Sequence, residues 1–581
     1  MKKDVLIIFK THLDIGFTDY SENVINRYID KYIPNAIRVG YKLINTDTPF
    51  IWTMGSWMIW EALKRDKSGS VEKAIEDGIL NWHALPFTTH TELMNSALFE
   101  YGLNISQRLD ERFNKKTIAA KMTDVPGHTI GMVPFMQERG IEFLHIGVNP
   151  ATPLPPVPEL FVWKNGQSKV TVMYQGAYGE AVELDDFVIY FAHTNDNCGP
   201  QSEREILEIY RQIQQKYPEY NLRAATLNDV AARIRNVKDV PVVEKEIGDT
   251  WIHGAATDPE KVSRYRKILR YIESNKSDVD LSEHLLLVPE HTWGMDFKTF
   301  FQDKTHFYHT ELEKIREERK IIEASWKEQR SYVSEAEKIL NIPSDYPIVK
   351  PDLSKYERLN CTDFPNIELS WQLFDNSDYE RYTADYLRLT EENRGWALQD
   401  FTKMGLPSYK GGIFVAKPNS AYINGNEKLY LYKFEDALSA KYGLPYFIVR
   451  YDEGVLEIKW FEKKASRLPQ AFWLKINGFN EDWELHRLGT WMKPQDIIGS
   501  PLIAAVDSGV RNNEFTVEPL DSPLVAPYGR RLLQYNCKVE KQDLYFNLYN
   551  NIWNTNFPMW YEDDGLFRFV ISDADNKRTS L

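Results

Sequence analysis

Short apolar runs alternate with amphipathic stretches in the first part of the chain. The apolar runs lie at 4–9, 80–87, 117–122, 142–148, 169–174, 187–192 and 222–226. Each has the length of a buried strand, and the residues between them show helical periodicity. The predicted helices include 21–42, with Ser21 as N-cap, 203–216, and one capped by Asn228. Because strands that alternate with helices form parallel sheets, this pattern predicts an α/β fold with a closed or nearly closed (β/α)7-type barrel.

The pattern changes twice in the rest of the chain. Residues 246–345 are mostly helical: Asp258 followed by Pro259 is typical of a helix start, and a long charged helix is predicted from about Tyr308 to Leu340. From 350 onward, short β-rich segments are separated by turn residues. We therefore expect three domains, which are a parallel barrel at 1–245, a helix bundle at 246–345 and an antiparallel β-sandwich at 350–581.

Charge and composition narrow the class of protein. The 581 residues carry a net charge of -14, which argues against nucleic acid and anionic membranes as partners. We expect no transmembrane helix, and the N-terminal apolar run is too short for a signal peptide. A cytoplasmic location is therefore expected, with a periplasmic or secreted one still open if a leader was removed. The three cysteines, Cys198, Cys361 and Cys537, are too far apart to indicate a disulfide framework.

Histidine and aspartate residues follow several of the apolar runs directly. His12 and Asp14 follow the run at 4–9, Asp124 follows 117–122, and Asp196 follows 187–192. Active sites of α/β barrels are built from side chains at the C-terminal ends of the strands. Imidazole and carboxylate groups together are also the usual ligands of a catalytic zinc ion. These positions therefore indicate a metal-dependent hydrolase.

Several short motifs resemble those of one known family. Residues 12–17, HLDIGF, resemble the HxDxGW motif near the start of glycoside hydrolase family 38, the zinc α-mannosidases. Residues 124–128, DVPGH, are similar to the family's nucleophile motif, DPFGH. Residues 251–258 resemble the stretch that opens the family's helix bundle, and 290–294 fall where the family carries its last zinc ligand. The resemblance covers about 1–340 and includes bacterial relatives of the family.

The resemblance implies a set of roles for individual residues. It implies that one zinc ion is bound by His12, Asp14, Asp124 and His291. Asp124 would also be the nucleophile of a retaining glycoside hydrolase acting on α-linked sugars through a covalent glycosyl-enzyme. Asp196 is similar in placement to the family's acid/base aspartate. Asp185 and Asp186 compete for that role, but they precede the strand and should lie at its opposite end.

Further residues are candidates for substrate contact. His90, His128, Trp57, Trp251 and Trp293 are expected to line a sugar pocket, and core packing is the alternative for each. The expected partner is a carbohydrate substrate, and a homo-oligomer stays open. Two other functions also stay open, namely a zinc-dependent carbohydrate deacetylase or other amidohydrolase, in which water would be the nucleophile, and a non-catalytic carbohydrate-binding protein.

Overall fold

A computed structural model describes most of the chain. The described residues are 3–275, 281–344, 346, 348–360, 364–477, 482–499, 502–536 and 543–573. They form two compact units. The first consists of Met1–Thr91, Leu98–Glu246 and Glu290–Thr292, and the second of Glu92–Ala97, Ile247–Pro289 and Trp293–Leu581. Cys361 and Cys537, named above, lie outside the described residues. The three predicted domain boundaries stay a prediction.

The first unit contains two sheets. Its strands are β1 Asp4–Thr11, β2 Trp52–Gly55, β3 Leu80–His83, β4 Ala119–Asp124, β5 Phe143–Val148, β6 Leu160–Asn165, β7 Ser168–Gln175, β8 Val182–Glu183, β9 Phe187–Thr194, β10 Asn221–Ala224 and β11 Val242–Val243, and β12 Glu246–Ile247 lies at its boundary. One sheet has the order β3-β2-β1-β9-β8, with β10 also paired to β1, and the other has the order β11-β6-β7-β5-β4.

Strand β1 is the centre of the first sheet. It pairs in parallel with β9 along its whole length, and with β10 and β2 on its other edge. All its residues from Val5 to Thr11 are buried, which is the continuous burial expected of a parallel strand covered on both faces. Because β1 and β9 run in parallel and in register, the residues that follow them, including His12 and Asp196, emerge at the same edge of the sheet.

The second sheet brings another strand end into the same unit. Strands β4, β5 and β7 are parallel, and β6 forms an antiparallel hairpin with β7. A backbone hydrogen bond of 2.9 Å runs from the amide of Ala84, just after β3, to the carbonyl of Ala119, the first residue of β4. The predicted α/β class with parallel strands is confirmed, and the closed barrel stays a prediction.

Helices connect these strands, with some differences from the sequence pattern. They are α1 Ser21–Arg27, α2 Ile33–Leu43, α3 Ser56–Arg65, α4 Ser70–Glu76, α5 Ser96–Phe113, α6 Met132–Glu138, α7 Glu203–Lys216 and α8 Leu227–Ile234. The predicted helix at 21–42 is interrupted by a π-helical turn at Tyr28–Tyr32, and its N-cap is Tyr20 rather than Ser21. The N-cap of α8 is Thr226 rather than Asn228, because Thr226 and Asp229 form a reciprocal capping box.

Besides the two-residue strands β8, β11 and β12, two strands of the first unit were not predicted. Strand β2 lies in a stretch where apolar residues continue into α3, so periodicity does not separate the strand from the helix. Strand β6 is only partly buried and contains polar residues. Both are therefore weak signals in the sequence alone.

The second unit begins with helices. They are α9 Pro259–Ser274, α10 Glu283–Leu286, α11 Phe297–Phe300, α12 His309–Leu312, α13 Lys320–Ile339, α14 Asn376–Tyr386, α15 Arg394–Phe401 and α16 Asp436–Tyr442. The predicted start of α9 is confirmed, because the Asp258 side chain accepts a hydrogen bond from the amide of Lys261. The long helix predicted at 308–340 is divided into α12, a 3-10 turn at Glu313–Ile315, and α13.

Two antiparallel sheets make up much of the second unit. Their strands are β13 Glu357–Leu359, β14 Ile367–Leu373, β15 Gly412–Val415, β16 Lys417–Asn424, β17 Glu427–Lys433, β18 Tyr446–Asp452, β19 Val455–Phe461, β20 Gln470–Ile476, β21 Glu484–Arg487, β22 Thr490–Met492, β24 Ala504–Ala505, β25 Gly509–Arg511, β26 Phe515–Pro519, β27 Leu524–Ala526, β28 Tyr545–Asn550 and β29 Gly565–Asp573, and β23 is Ile497–Ile498. One sheet has the order β13-β16-β17-β18-β19-β29-β26-β25-β21-β22 and the other β15-β14-β20-β28-β27-β24.

Aromatic rings connect these two sheets. Trp460 of β19 contacts Phe472 of β20 with ring centroids 5.4 Å apart, and Phe546 of β28 contacts Phe569 of β29 at 4.9 Å. These contacts lie between the inward faces of the sheets, as in sandwich packing. Among the helices of the described ranges, none is both long and apolar enough to cross a membrane.

Candidate metal centre and active site

The first unit gathers three buried side chains from distant parts of the sequence. His12 and Asp14 follow β1, and His291 belongs to the short segment Glu290–Thr292. That segment is held beside the residues that follow β3, because the amide of His291 donates to the carbonyl of Thr88 at 3.3 Å. Asp14 is the most exposed of the three side chains, at 5% for the whole residue.

The ligand atoms of these three residues converge on one point. His12 Nε2 lies 3.2 Å from Asp14 Oδ1 and 3.2 Å from His291 Nε2. His291 Nε2 lies 3.0 Å from Asp14 Oδ1. Two imidazole nitrogens and a carboxylate oxygen at these distances form a group that could hold a metal ion.

Asp124, the last residue of β4, lies beside this group. Its Oδ2 lies 3.7 Å from His291 Nε2. Its Oδ1 accepts hydrogen bonds of 2.9 Å from Asn149 Nδ2 and 2.9 Å from Tyr178 Oη. One carboxylate oxygen is therefore held by two donors, while the other lies near His291.

The second nitrogen of each histidine has its own partner. His12 Nδ1 lies 2.8 Å from Thr123 Oγ1, and the buried Lys121 Nζ donates to the same oxygen at 3.2 Å. His291 Nδ1 lies 2.6 Å from Glu290 Oε1. Partners of this kind fix the ring orientation and the tautomer of a metal-binding histidine, leaving Nε2 as the ligand atom.

The electrostatics of the cluster favour a cation. Asp14 Oδ2 is buried, and no donor among the described residues reaches it. Burial works against a charged His291, but Glu290 and Asp14 raise the pKa of this imidazole well above its usual value. Burial likewise raises the pKa of Asp14, but His12 and His291 outweigh this effect and lower it overall. Without a metal, a proton on His291 supplies the positive charge that the cluster requires, so the donor set fits a metal ion.

Asp196 lies beside this cluster, after β9. Tyr178 Oη is 3.0 Å from Asp196 Oδ1 and also contacts Asp124, as described above. The Asp124 and Asp196 oxygens are therefore at most about 5.9 Å apart, which is the sum of 2.9 Å and 3.0 Å. Burial, and after it the charge of Asp14, raise the pKa of Asp196 to about 6. Asp185 and Asp186 are exposed at the opposite end of β9.

The comparison with solved structures gives the fold. An alpha-mannosidase from Enterococcus faecalis V583 matches with a TM-score of 0.60 at 10% identity, over 98% of this chain and 87% of that chain. A protein in glycosyl hydrolase family 38 from Enterococcus faecalis matches with a TM-score of 0.55 at 10% identity, over 98% and 86%. This chain has the family 38 fold. The expected relation in fold is thus confirmed.

Two comparisons of the amino-acid sequence do not assign an activity. The family described as "Domain of unknown function (DUF5054)" matches residues 255–356. The search of curated proteins found no match. The similarity to family 38 is therefore one of structure, and neither sequence comparison assigns a chemistry to the site.

The remaining predicted site residues are all buried. In the first unit, Trp57 packs against Phe87 with ring centroids 5.5 Å apart, and His128 Nδ1 lies 3.5 Å from Thr91 Oγ1. His90 is 1% exposed. Their contact with a sugar stays a prediction.

The two other predicted tryptophans belong to the second unit. Trp251 donates to Tyr386 Oη at 2.9 Å, and Trp293 packs against the Lys261 ammonium group, 3.7 Å from the ring centroid. These contacts hold both rings within that unit. Their role as sugar platforms also stays a prediction.

The structure adds residues that the sequence analysis missed. Thr123, Asn149, Tyr178 and Glu290 contact the predicted ligands directly. Thr123 directly precedes Asp124, and Glu290 directly precedes His291. This adjacency to a predicted ligand is the sequence signal that could have identified them. Tyr178 and Asn149 follow strands β7 and β5, where the C-terminal ends of parallel strands meet.

Proposed function

We propose that this protein is a zinc-dependent retaining glycoside hydrolase acting on α-linked sugars. The observation that carries the proposal is the meeting of two imidazoles and two carboxylates at the ends of β1 and β4, with Asp196 on the other side of Tyr178. The family 38 fold supports this reading, since an α-mannosidase has the same architecture. The side-chain cluster and the fold together support α-linked sugars as the substrate class.

His12, Asp14, Asp124 and His291 would hold the zinc. A four-coordinate zinc with bonds of about 2.0–2.2 Å separates its ligand atoms by roughly 3.3–3.6 Å. The ligand atoms of His12, Asp14 and His291 lie 3.0 to 3.2 Å apart, close to that spacing, and Asp124 Oδ2 lies 3.7 Å from His291 Nε2 as the candidate for the fourth position. When bound, zinc supplies a positive charge that polarises sugar hydroxyls and keeps the carboxylates ionised.

Asp124 and Asp196 would divide the reaction between them. In the first step, Asp124 attacks the anomeric carbon, the glycosidic bond breaks, and the proton of Asp196 goes to the departing oxygen. In the second, Asp196 takes a proton from water, whose oxygen attacks the anomeric carbon and releases Asp124 as carboxylate. The upper limit of about 5.9 Å between the two carboxylates supports retention, because retaining enzymes need about 5–5.5 Å and inverting enzymes about 6.5–9.5 Å.

The hydrogen bonds around these two carboxylates suit their different roles. Asn149 and Tyr178 both donate to Asp124 and so stabilise it as an anion ready to attack. Within the described residues, Tyr178 is the only hydrogen-bond partner of the Asp196 carboxyl group, whose pKa is raised to about 6, as a proton donor requires. Tyr178 cannot donate its single proton to both, so a protonated Asp196 that donates to Tyr178 completes the chain of hydrogen bonds.

The test is a screen of aryl glycosides with purified, metal-analysed protein. We expect about one zinc per chain, release of nitrophenol from an α-glycoside, and a first product of retained anomeric form by NMR. Asp124→Asn should abolish turnover. Asp185→Asn and Asp186→Asn are matched controls at the opposite end of β9 and should leave the rate unchanged. An inverted product contradicts the retaining mechanism, and release of acetate from an acetylated sugar without glycoside cleavage would favour the amidohydrolase.

A further inference from the structure

Strand β1 contains a buried lysine that has no part in the cluster described above. Lys10 is 1% exposed, and its side-chain nitrogen donates to the backbone carbonyl of Tyr178. Among the described residues this carbonyl is its only hydrogen-bond acceptor, and no carboxylate pairs with it. The Phe191 ring lies nearby, with its centroid 5.5 Å from the nitrogen. Burial of an amine without an anionic partner is costly, so this single hydrogen bond calls for a function.

The backbone that accepts this hydrogen bond has an unusual conformation. Ala177, Tyr178 and Gly179 have positive φ angles of 52°, 62° and 118°. Such angles are unfavourable for residues with a side chain and persist where the surrounding contacts impose them. The amide of Tyr178 donates to the carbonyl of Val148 at 3.2 Å, while Lys10 holds its carbonyl. Both polar groups of the Tyr178 backbone are therefore fixed.

A glycine of β5 fixes the same segment from another side. A Cβ atom at Gly147 would lie 2.5 Å from the carbonyl carbon of Tyr178 and 2.6 Å from its oxygen. A glycine inside a strand often marks such a close approach of another backbone. The backbone of Tyr178 is thus placed both by the donor on Lys10 and by the space at Gly147.

The side chain of Tyr178 reaches the proposed site from this backbone. Its ring stacks on the ring of His12, with centroids 4.9 Å apart and planes 22° from parallel. Its hydroxyl lies 2.9 Å from Asp124 Oδ1 and 3.0 Å from Asp196 Oδ1. Because the phenol ring is rigid, a shift of the backbone moves the hydroxyl with it. A shift of about 1 Å is enough to break hydrogen bonds of this length.

We propose that Lys10 is a positioning residue, which holds the Tyr178 hydroxyl between the two carboxylates through its bond to the Tyr178 carbonyl. Lys10 touches neither the sugar nor the metal in this assignment. Its expected effect on turnover rests on the proposed function, whereas its effect on the place of the hydroxyl can be measured without a substrate.

The first test combines Lys10→Met, which replaces the amine by an apolar chain of similar length, with Tyr178→Phe. In Lys10→Met we expect kcat for an α-glycoside to fall about 10–100-fold, since a displacement of about 1 Å at the reacting groups can have this effect. KM and zinc affinity should stay unchanged. In Tyr178→Phe no hydroxyl is left to place, so Lys10→Met should cause no further loss. An unchanged kcat in Lys10→Met overturns the proposal, and so does an equal loss in both backgrounds.

A second variant and two controls separate positioning from general damage to the fold. Gly147→Ala should displace the same segment and lower kcat in the same way, again only where the Tyr178 hydroxyl is present. Lys403→Met removes another buried lysine, which is 3% exposed and lies 3.7 Å from Met559 Sδ in the second unit. Gly395→Ala adds a Cβ that meets no atom within 4 Å. Both controls should leave kcat unchanged, and a loss in Lys403→Met as large as that in Lys10→Met would overturn the assignment.

Crystal structures of the unmodified protein and of Lys10→Met give a test without turnover. The Tyr178 hydroxyl should lie within about 3.5 Å of both carboxylates in the first, and beyond that distance from at least one of them in the second. A hydroxyl in the same place in both structures overturns the proposal. If the hydroxyl moves but the unmodified protein cleaves no glycoside, the proposed function fails and the positioning role of Lys10 is supported.

Discussion

Four residues around the site hold a backbone conformation that most amino acids avoid. Phe17, Asp124, Tyr178 and Asn197 have φ angles of 58°, 76°, 62° and 51°. Non-glycine residues in this left-handed region cost about 1–3 kcal/mol each and persist where the surrounding structure holds them. All four lie at or after the C-terminal ends of strands in the first unit. Local strain is thus present beside the proposed site, and hydrogen bonds of the Asp124, Tyr178 and Asn197 side chains hold three of these residues in place.

Thr123 should control the affinity of the site for zinc. In Thr123→Val, His12 Nδ1 loses its acceptor at 2.8 Å, so the ring is no longer held in the tautomer that binds metal. We expect zinc affinity, measured by competition with a chromogenic chelator, to fall by about 10–100-fold, and Thr123→Ser to restore it.

Thr53→Val is the matched control for this variant. Thr53 is equally buried, in β2, and within the described residues its hydroxyl has no hydrogen-bond partner. Its substitution should therefore leave the chelator titration as in the unmodified protein. Equal zinc affinity in Thr123→Val and Thr53→Val would show that the Thr123 hydroxyl does not position His12.

Asp196 should set the pH dependence of turnover. Its pKa is raised to about 6, so the carboxyl is protonated below that pH and ionised above it. A general acid works only when protonated, so kcat/KM for an unactivated glycoside should fall as pH rises through about 6. Asp196→Ala should remove this limb and slow unactivated substrates more than activated aryl glycosides. A pH profile that is the same with and without Asp196 would contradict its role.

At the scale of elements, one side chain ties the loop after β1 to the loop after β9. Asn197 Oδ1 accepts from the amide of Asp14 at 3.0 Å, and its Nδ2 donates to the carbonyls of Asp14 and Gly16 at 3.0 Å and 3.2 Å. Asn197 is 4% exposed. It therefore fixes both the metal cluster and the neighbouring Asp196 loop.

Removing this link should cost stability and metal binding together. In Asn197→Ala we expect the free energy of unfolding, measured by urea denaturation, to fall by about 2–4 kcal/mol, because several buried hydrogen bonds are lost and partners are left unsatisfied. Zinc affinity should fall in the same variant. Asn195→Ala, an exposed position in the same loop, should change neither quantity by more than about 0.5 kcal/mol. Unchanged stability in Asn197→Ala would show that the loops are held by other contacts.

At the scale of the whole molecule, the proposed ligands come from three distant segments. Residues 12–14, 124 and 291 belong to one compact unit although the chain passes through the second unit between 246 and 290. A metal that binds only the folded cluster stabilises it by about 2.7 kcal/mol when its free concentration is 100 times the Kd. We expect added zinc to raise the unfolding temperature in calorimetry and a chelator to lower it.

The metal response should be specific to the cluster. Asp14→Asn should abolish the shift with zinc, because it removes a central ligand. Magnesium should not replace zinc in the unmodified protein, since magnesium prefers oxygen ligands and the cluster contains two imidazoles. Equal shifts in the unmodified protein and Asp14→Asn would place the metal elsewhere.

The local sequence pattern is sufficient to predict several of the helices and strands. The buried strand β1 and the helix α7 were predicted because continuous apolar runs and helical periodicity record burial directly. His12, Asp14 and Asp124 were identified because they follow apolar runs in recognisable motifs. The π-helical turn at 28–32 and strand β2 were not predicted, because their residues show no pattern that distinguishes them from the neighbouring helices.

Which side chains meet depends on the tertiary structure. Tyr178 has no motif, yet it touches Asp124 at the end of β4 and Asp196 after β9, although neither strand pairs with β7, the strand that precedes it. His291 reaches His12 and Asp14 only because the segment 290–292 is held next to the residues after β3. Hydrogen bonds across 18 to 279 positions of sequence depend on how strands are ordered in the sheets. The strand order is set by packing between distant elements, so local periodicity carries no information about it.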